Sequence, residues 1–130
     1  MTHWLGKHSE MLYAFMRIVV GLLFACHGAQ KLFGVLGGQN LSSNPQMVTA
    51  GVIEFIGGGL VALGLWAGYA GFVASGEMAV AYFMTHAPRG FWPIANKGEL
   101  AVLYCFVFLY IASRGSGHLS FEALIKKRSS

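Results

Sequence analysis

Apolar positions in this chain come in blocks longer than the core-facing stripes of a soluble helix. Residues 11–33 are broken only by Arg17, His27, Gln30 and Lys31, and a membrane span needs about 20 mostly apolar residues. A loop follows, with Gly37, Gly38, Asn40, Ser42, Ser43, Asn44 and Pro45 supplying turn chemistry. The next block, residues 47–85, is too long for one span, because about 38 residues at about 1.5 Å each cover nearly twice the ~30 Å hydrocarbon core. It predicts a helical hairpin, broken between Gly64 and Gly68 where glycines flank Trp66. Pro88, Arg89, Gly90, Trp92 and Pro93 mark a further loop with an aromatic belt. A fourth block covers residues 97–114, and a short amphipathic tail ends in Lys126, Lys127 and Arg128. The pattern predicts an all-α fold: one domain over residues 1–130, a four-helix transmembrane bundle with spans near 11–33, 47–65, 68–86 and 97–114.

Composition strengthens that reading. The chain is 55% hydrophobic and 11% charged, against about 25% charged in an average soluble domain, so it cannot coat a soluble domain of its size with polar side chains. The opening segment has a basic residue, Lys7, before an apolar run, as signal peptides do. Arg17 inside the run, and no small-x-small cleavage site before Gln30 and Lys31, favour a retained first span. The net charge of +4 does not indicate nucleic-acid binding, since the basic residues are not interleaved with aromatics on one polar face. They sit at the ends of apolar blocks. Four spans put Lys7, Arg17, Arg114, Lys126, Lys127 and Arg128 on one side and Lys31, Arg89 and Lys97 on the other. The positive-inside bias then predicts both termini in the cytoplasm. Cys26 and Cys105 match no metal or redox spacing and read as buried apolar thiols.

The few charges carry the functional signal. All five acids are Glu, and Glu54, Glu77 and Glu99 lie in or at the edge of apolar blocks, as do Arg17, His27, Lys31 and His86. A charge at mid-bilayer costs at least about 2.5 kcal/mol, so such groups face the bundle interior and pair. Helical spacing puts Arg17, Gly21, Phe24, Gly28 and Lys31 on one stripe. Glu54, Gly57, Gly58 and Val61 form a second, and Ala70, Val73, Glu77, Ala81 and Met84 a third. His27, Lys31, Glu54, His86 and Glu99 converge on the outer level, with Glu77 nearer mid-membrane. Glu54 is expected to contact His27 or Lys31. The plain alternatives are that Lys31, His86 and Glu99 cap helices, that Glu54 makes a structural ion pair, and that Arg17 and Arg114 snorkel to the inner interface. The glycines from Gly57 to Gly76 predict tight packing of the second span on the third.

Several of these residues, in order, resemble the DoxX family of small four-span membrane proteins. Arg17 precedes a small-apolar run to Phe24, followed by His27-Gly28 and Lys31-Leu32-Phe33-Gly34. Glu54 precedes Gly57, Gly58 and Gly59, and Leu63-Gly64-Leu65 closes that span. Ala81 and His86 end the third, Asn96 and Glu99 open the fourth, and Gly115, Gly117 and Ser120 close the pattern, which reaches to about Leu124. The acid usual after that serine is displaced by one, to Glu122. The resemblance implies a multi-pass protein of the bacterial inner membrane tied to redox chemistry, since some relatives resemble the membrane subunit of thiosulfate:quinone oxidoreductases and others associate with oxidative-stress enzymes.

The leading expectation is a quinone-binding or otherwise redox-associated module. Its ligand site would draw on His27, Lys31, Glu54, Glu77, His86 and Glu99, with Phe24, Phe55, Phe106 and Tyr110 as apolar lining. Histidine and lysine donate hydrogen bonds, and a carboxylate takes or delivers protons. No flavin, haem or iron–sulfur motif is visible, so electrons would come from a soluble oxidoreductase partner or a diffusible donor. A scaffold anchoring a partner enzyme, a homo-oligomer, a small exporter and a metal site built on His27, His86 and a Glu are the alternatives. The first span has no embedded acid, which counts against the exporter.

Overall fold

The computed structural model describes residues 2–38 and 43–129. Part of the expected first loop, residues 39–42, lies outside the described residues. Every regular element among them is helical. A short α1 (Thr2–Gly6) leads into the long α2 (Ser9–Phe33). Gly34, left-handed at φ 69°, ends α2, its N–H bonding Gln30 O, a stop that glycine makes at no steric cost.

Asn44 opens α3 (Pro45–Leu63), its side chain accepting from Gln46 N, with Pro45 in the first turn where its missing N–H does no harm. The break expected near Gly64 is a tight left-handed turn. Gly64 has φ 71° and Trp66 φ 52°, and α4 (Ala67–Ala81) starts immediately. The α4 helix continues through a π-helical turn, Tyr82–His86, and a 3₁₀ turn, Ala87–Arg89. A single turn, α5 (Pro93–Asn96), precedes α6 (Glu99–Arg114), and α7 (Phe121–Ser129) ends the described chain.

The most extensive contact joins α2 to α3; α4 packs on α6, and α3 meets α4 over a smaller area. The tight packing expected of the second span on the third is found instead between the first and second, and α3 meets α4 more loosely. The reason is which glycines meet. A Cβ on Gly21 would stand 2.5 Å from Ala62 N, and one on Gly58 2.6 Å from Gly21 O. Gly28 is pressed as closely on Phe55 and Gly51. Small residues let these two backbones touch, whereas Gly57, Gly59 and Gly76 have nothing within 4 Å of a Cβ position. The core joins Tyr13 and Phe24 of α2, Val61 of α3, Ala70, Ala74 and Met78 of α4, and Tyr104, Phe108 and Ile111 of α6.

The α2 stripe is buried as the spacing predicts, from Arg17 through Gly21 and Phe24 to Gly28, with Lys31 half-buried. The α4 stripe is shifted. Ala67, Ala70, Gly71, Ala74, Ser75 and Met78 are buried, Val73 and Met84 are exposed, and Glu77 lies at the edge of the packed face. Cys26 is exposed and Cys105 half-buried, which corrects the reading of both as buried thiols. Cys105 sits beside Ser75, whose Oγ donates to Cys105 O at 2.8 Å and ties α4 to α6.

Two helices, α2 and α3, are long and apolar enough to cross a membrane. The α4 and α6 helices have 15 and 16 residues.

Candidate functional site

Contacts around Arg17 fix one end of the fold. Rather than snorkelling, Arg17 is fully buried. Its Nη1 donates to Val61 O at 2.6 Å and Ala62 O at 3.0 Å, and its Nη2 to Leu119 O at 2.6 Å and His118 O at 3.2 Å. A helix C-terminus leaves carbonyls unpaired and slightly negative, and a guanidinium answers both. Nε is buried with no partner. The glycine–serine segment after α6 wraps this end. Ser116 Oγ accepts from Ala67 N at 3.3 Å, and Tyr13 OH donates to Gly115 O at 2.7 Å. Ser120 Oγ accepts from Ala123 N at 3.0 Å as the cap of α7. The displaced acid Glu122 accepts from Trp66 N at 2.5 Å. Arg114 is not bound for an interface alone: its Nη2 meets Glu10 Oε1 at 2.6 Å. The polar groups of Arg17, Tyr13, Ser116, Glu122 and Arg114 at this end thus tie the helices and the C-terminal segment together.

The other end is built differently. Between α2, α3, α4 and α6 lies a cavity of about 320 Å³ whose walls include His27, Lys31, Glu54, Glu77, His86 and Tyr104. The α2 helix contributes His27 and Lys31 from one face, four residues apart. Lys31 Nζ meets Glu54 Oε1 at 2.5 Å, the contact expected of Glu54, and the Glu54 side chain is only 2% exposed. Glu77, from α4, lines the same cavity, and its Oε1 is buried with no partner. The His27 ring stands edge-on to Tyr104, centroids 6.0 Å apart, and Tyr104 stacks on Phe108 at 5.6 Å beneath Phe24. This aromatic floor fixes one wall.

His86 is positioned by the loop that follows it. Its Nδ1 lies 3.2 Å from Asn96 O, and since a carbonyl only accepts, Nδ1 is the donor of that bond. Asn96 is 1% exposed and organises that loop. Its Nδ2 donates to Gly90 O at 2.9 Å and Tyr82 OH at 3.1 Å, and its Oδ1 accepts from Gly98 N at 2.8 Å. Gly98 is needed because a Cβ there would sit 2.7 Å from both His86 Cβ and the Tyr82 ring. The π-helical turn at Tyr82–His86 is a local feature frequent at functional sites.

Of the six expected site residues, five line the cavity and Glu99 does not. Glu99 is exposed in the first turn of α6, where a carboxylate complements the helix dipole. The expected aromatic lining is corrected as well. Only Phe24 contributes, while Phe55, Phe106 and Tyr110 are 41%, 65% and 51% exposed. Tyr104 and Lys97 take their places among the walls. Tyr104 was legible in principle, since it shares a face with Ala101, Phe108 and Ile111 at helical spacing. No three His, Cys, Asp or Glu side chains are grouped as metal ligands among the described residues.

The DoxX family model matches residues 12–87, which takes in Arg17, His27, Lys31, Glu54, Glu77 and His86 and stops short of the α6 wall. A protein of Haemophilus influenzae, itself uncharacterized, is 44% identical over 120 residues, 87% of this chain and 90% of its own length. No solved structure matches. With the family's matched region covering most of both helices that can cross a membrane and most of the cavity walls, the chain belongs to the DoxX family of membrane proteins.

Proposed function

We propose that the chain is a four-span module of the bacterial inner membrane, both termini cytoplasmic, whose cavity holds the head of a quinone or a similar redox-active ligand. Continued through its π-helical turn to His86, α4 gains the length of a span. Large apolar side chains such as Leu22, Phe72, Phe83, Leu103 and Phe106 are more than half exposed on several faces, a surface suited to lipid rather than water.

The observation that carries the site is the cavity wall itself: two histidines, a tyrosine, a lysine–glutamate pair and a second glutamate with an unpartnered oxygen, over an aromatic floor. That donor set suits a flat ring bearing two carbonyl oxygens. A bound quinone would supply two-electron, proton-coupled chemistry. The chain's own part is to bind, orient and exchange protons. His27 and Tyr104 can donate to ring oxygens, the unpartnered Glu77 carboxyl can take or deliver a proton, and Lys31 holds Glu54 in an ion pair beside it. Electrons would come from a partner oxidoreductase, consistent with the absence of a flavin, haem or iron–sulfur motif in the sequence.

The test is to purify the protein in mild detergent and identify bound lipophilic molecules by mass spectrometry. Quinone should co-purify, and His27→Ala and Glu77→Gln should reduce its occupancy by about tenfold, or about 1.4 kcal/mol. Glu99→Gln, on the surface, should leave it unchanged. Absence of quinone from the wild-type protein, with a soluble enzyme co-purifying instead, would favour a scaffold. The closed Lys31–Glu54 pair is the observation on which that second reading stands.

A further inference from the structure

We infer that the ligand of this cavity enters sideways from the lipid and lays a single apolar tail in the groove between α3 and α4, an inference that rests on the cavity reading above. Two hollows run along that seam. One, of about 510 Å³, lies between Ile53, Ile56 and Leu60 on α3 and Trp66, Tyr69 and Val73 at the start of α4. The second, of about 380 Å³, shares Ile53 and Val73 with the first and runs on to Gln46 and Thr85. Glu77 lines this second hollow and the polar cavity alike, together with Met47, Ala50 and Ala81. The three spaces therefore adjoin, each sharing side-chain walls with the next, apolar along the seam and polar at its inner wall, with the unpartnered Glu77 oxygen at the boundary.

Glycine leaves the seam open. Gly57 lines the first hollow and Gly76 the second, and neither would bring a Cβ within 4 Å of another atom. This is the reverse of the α2–α3 seam, where glycines draw the backbones together. From Gln46 to Leu60 the groove follows α3 for roughly 21 Å at about 1.5 Å per residue, much of a ~30 Å hydrocarbon core. The occupant is a molecule with one long apolar tail and a compact, uncharged, hydrogen-bonding head. A phospholipid does not fit, because its charged headgroup would have to leave the interface to reach Glu77, at a cost of several kcal/mol per ion.

Equilibrium binding to the full chain in lipid nanodiscs, corrected for partition into protein-free discs, tests this with two probes: a prenylated benzoquinone and the same ring bearing only methyl groups. The prenylated ring should bind about tenfold tighter or more. Gly57→Leu and Gly76→Leu should remove that advantage and leave the affinity of the methyl ring unchanged. Gly59→Leu, also in open space but lining none of the three hollows, should have no effect. Equal affinity of the two rings for the wild-type protein, a comparison that needs no variant to fold, overturns the groove and leaves the cavity reading standing. A tail preference that survives both leucines in folded protein does the same. No saturable binding of either ring overturns both.

Discussion

Arg17 serves four carbonyl oxygens with one guanidinium, joining the last turn of α3 to the segment before α7. The planar fork makes this possible, and an ammonium cannot reproduce it. Arg17→Lys should therefore keep the charge yet lower stability by about 2–3 kcal/mol, since hydrogen bonds to charged groups contribute about 1.5–3 kcal/mol each. Thermal unfolding in mild detergent reads this directly, and an unchanged midpoint would mean that water can replace the fork. The default of snorkelling fails here because sequence spacing gives depth and face but not the partner. The carbonyls of residues 118 and 119 lie about a hundred positions away in the chain. Lys31 and Glu54 were legible because both sit on faces whose neighbours are small. Glu99 was misplaced because a helix-opening acid and a site acid look alike in sequence, and only the α5–α6 turn decides which way it points.

Neighbouring glycines on α3 give the sharpest contrast between elements. Gly58 is pressed on α2, where a Cβ would stand 2.5 Å from Ala25 N, while Gly57 faces open space. Backbone atoms cannot step aside as a flexible side chain can, so Gly58→Ala should force the helices apart and cost about 1–3 kcal/mol. Gly57→Ala should be neutral or stabilising by up to about 1 kcal/mol, from helix propensity. Comparing the two by denaturant titration in detergent tests the assignment of faces, and the opposite ranking would show that α3 is rotated about its axis. Hydrophobic periodicity located the elements well and the face of α4 poorly, for one physical reason. A lipid-facing side is as apolar as a core-facing one, so alternation fades. Residue size is the better signal there: Ala67, Ala70, Gly71, Ala74 and Ser75 are buried while Tyr69, Phe72 and Val73 face outward.

At the scale of the whole molecule, the polar contacts sort the chain into two unlike ends. Tyr13 with Gly115, Glu10 with Arg114, and Ala67 with Ser116 bring the start of α2, the end of α6 and the start of α4 to one level. Arg17 adds the end of α3 to the same level. The opposite end carries the end of α2, the start of α3, His86 and the start of α6. Helices alternating in this way would cross a bilayer four times and leave both termini on one side. That side also holds Lys7, Arg114, Lys126 and Lys127 against Lys31, Arg89 and Lys97 at the cavity end, which favours it as the cytoplasmic face. Single cysteines placed at Ser43, Trp92 or Ser129, with Cys26 and Cys105 replaced by alanine, should then report through a membrane-impermeant thiol reagent on intact cells. Positions 43 and 92 should label at once, and position 129 only after the membrane is opened. Labelling of position 129 from outside would invert the molecule and turn the cavity toward the cytoplasm. Protection of position 92 with labelling at 43 would mean that α4 and α6 do not cross, leaving α2 and α3 as the membrane hairpin and the cavity at its edge.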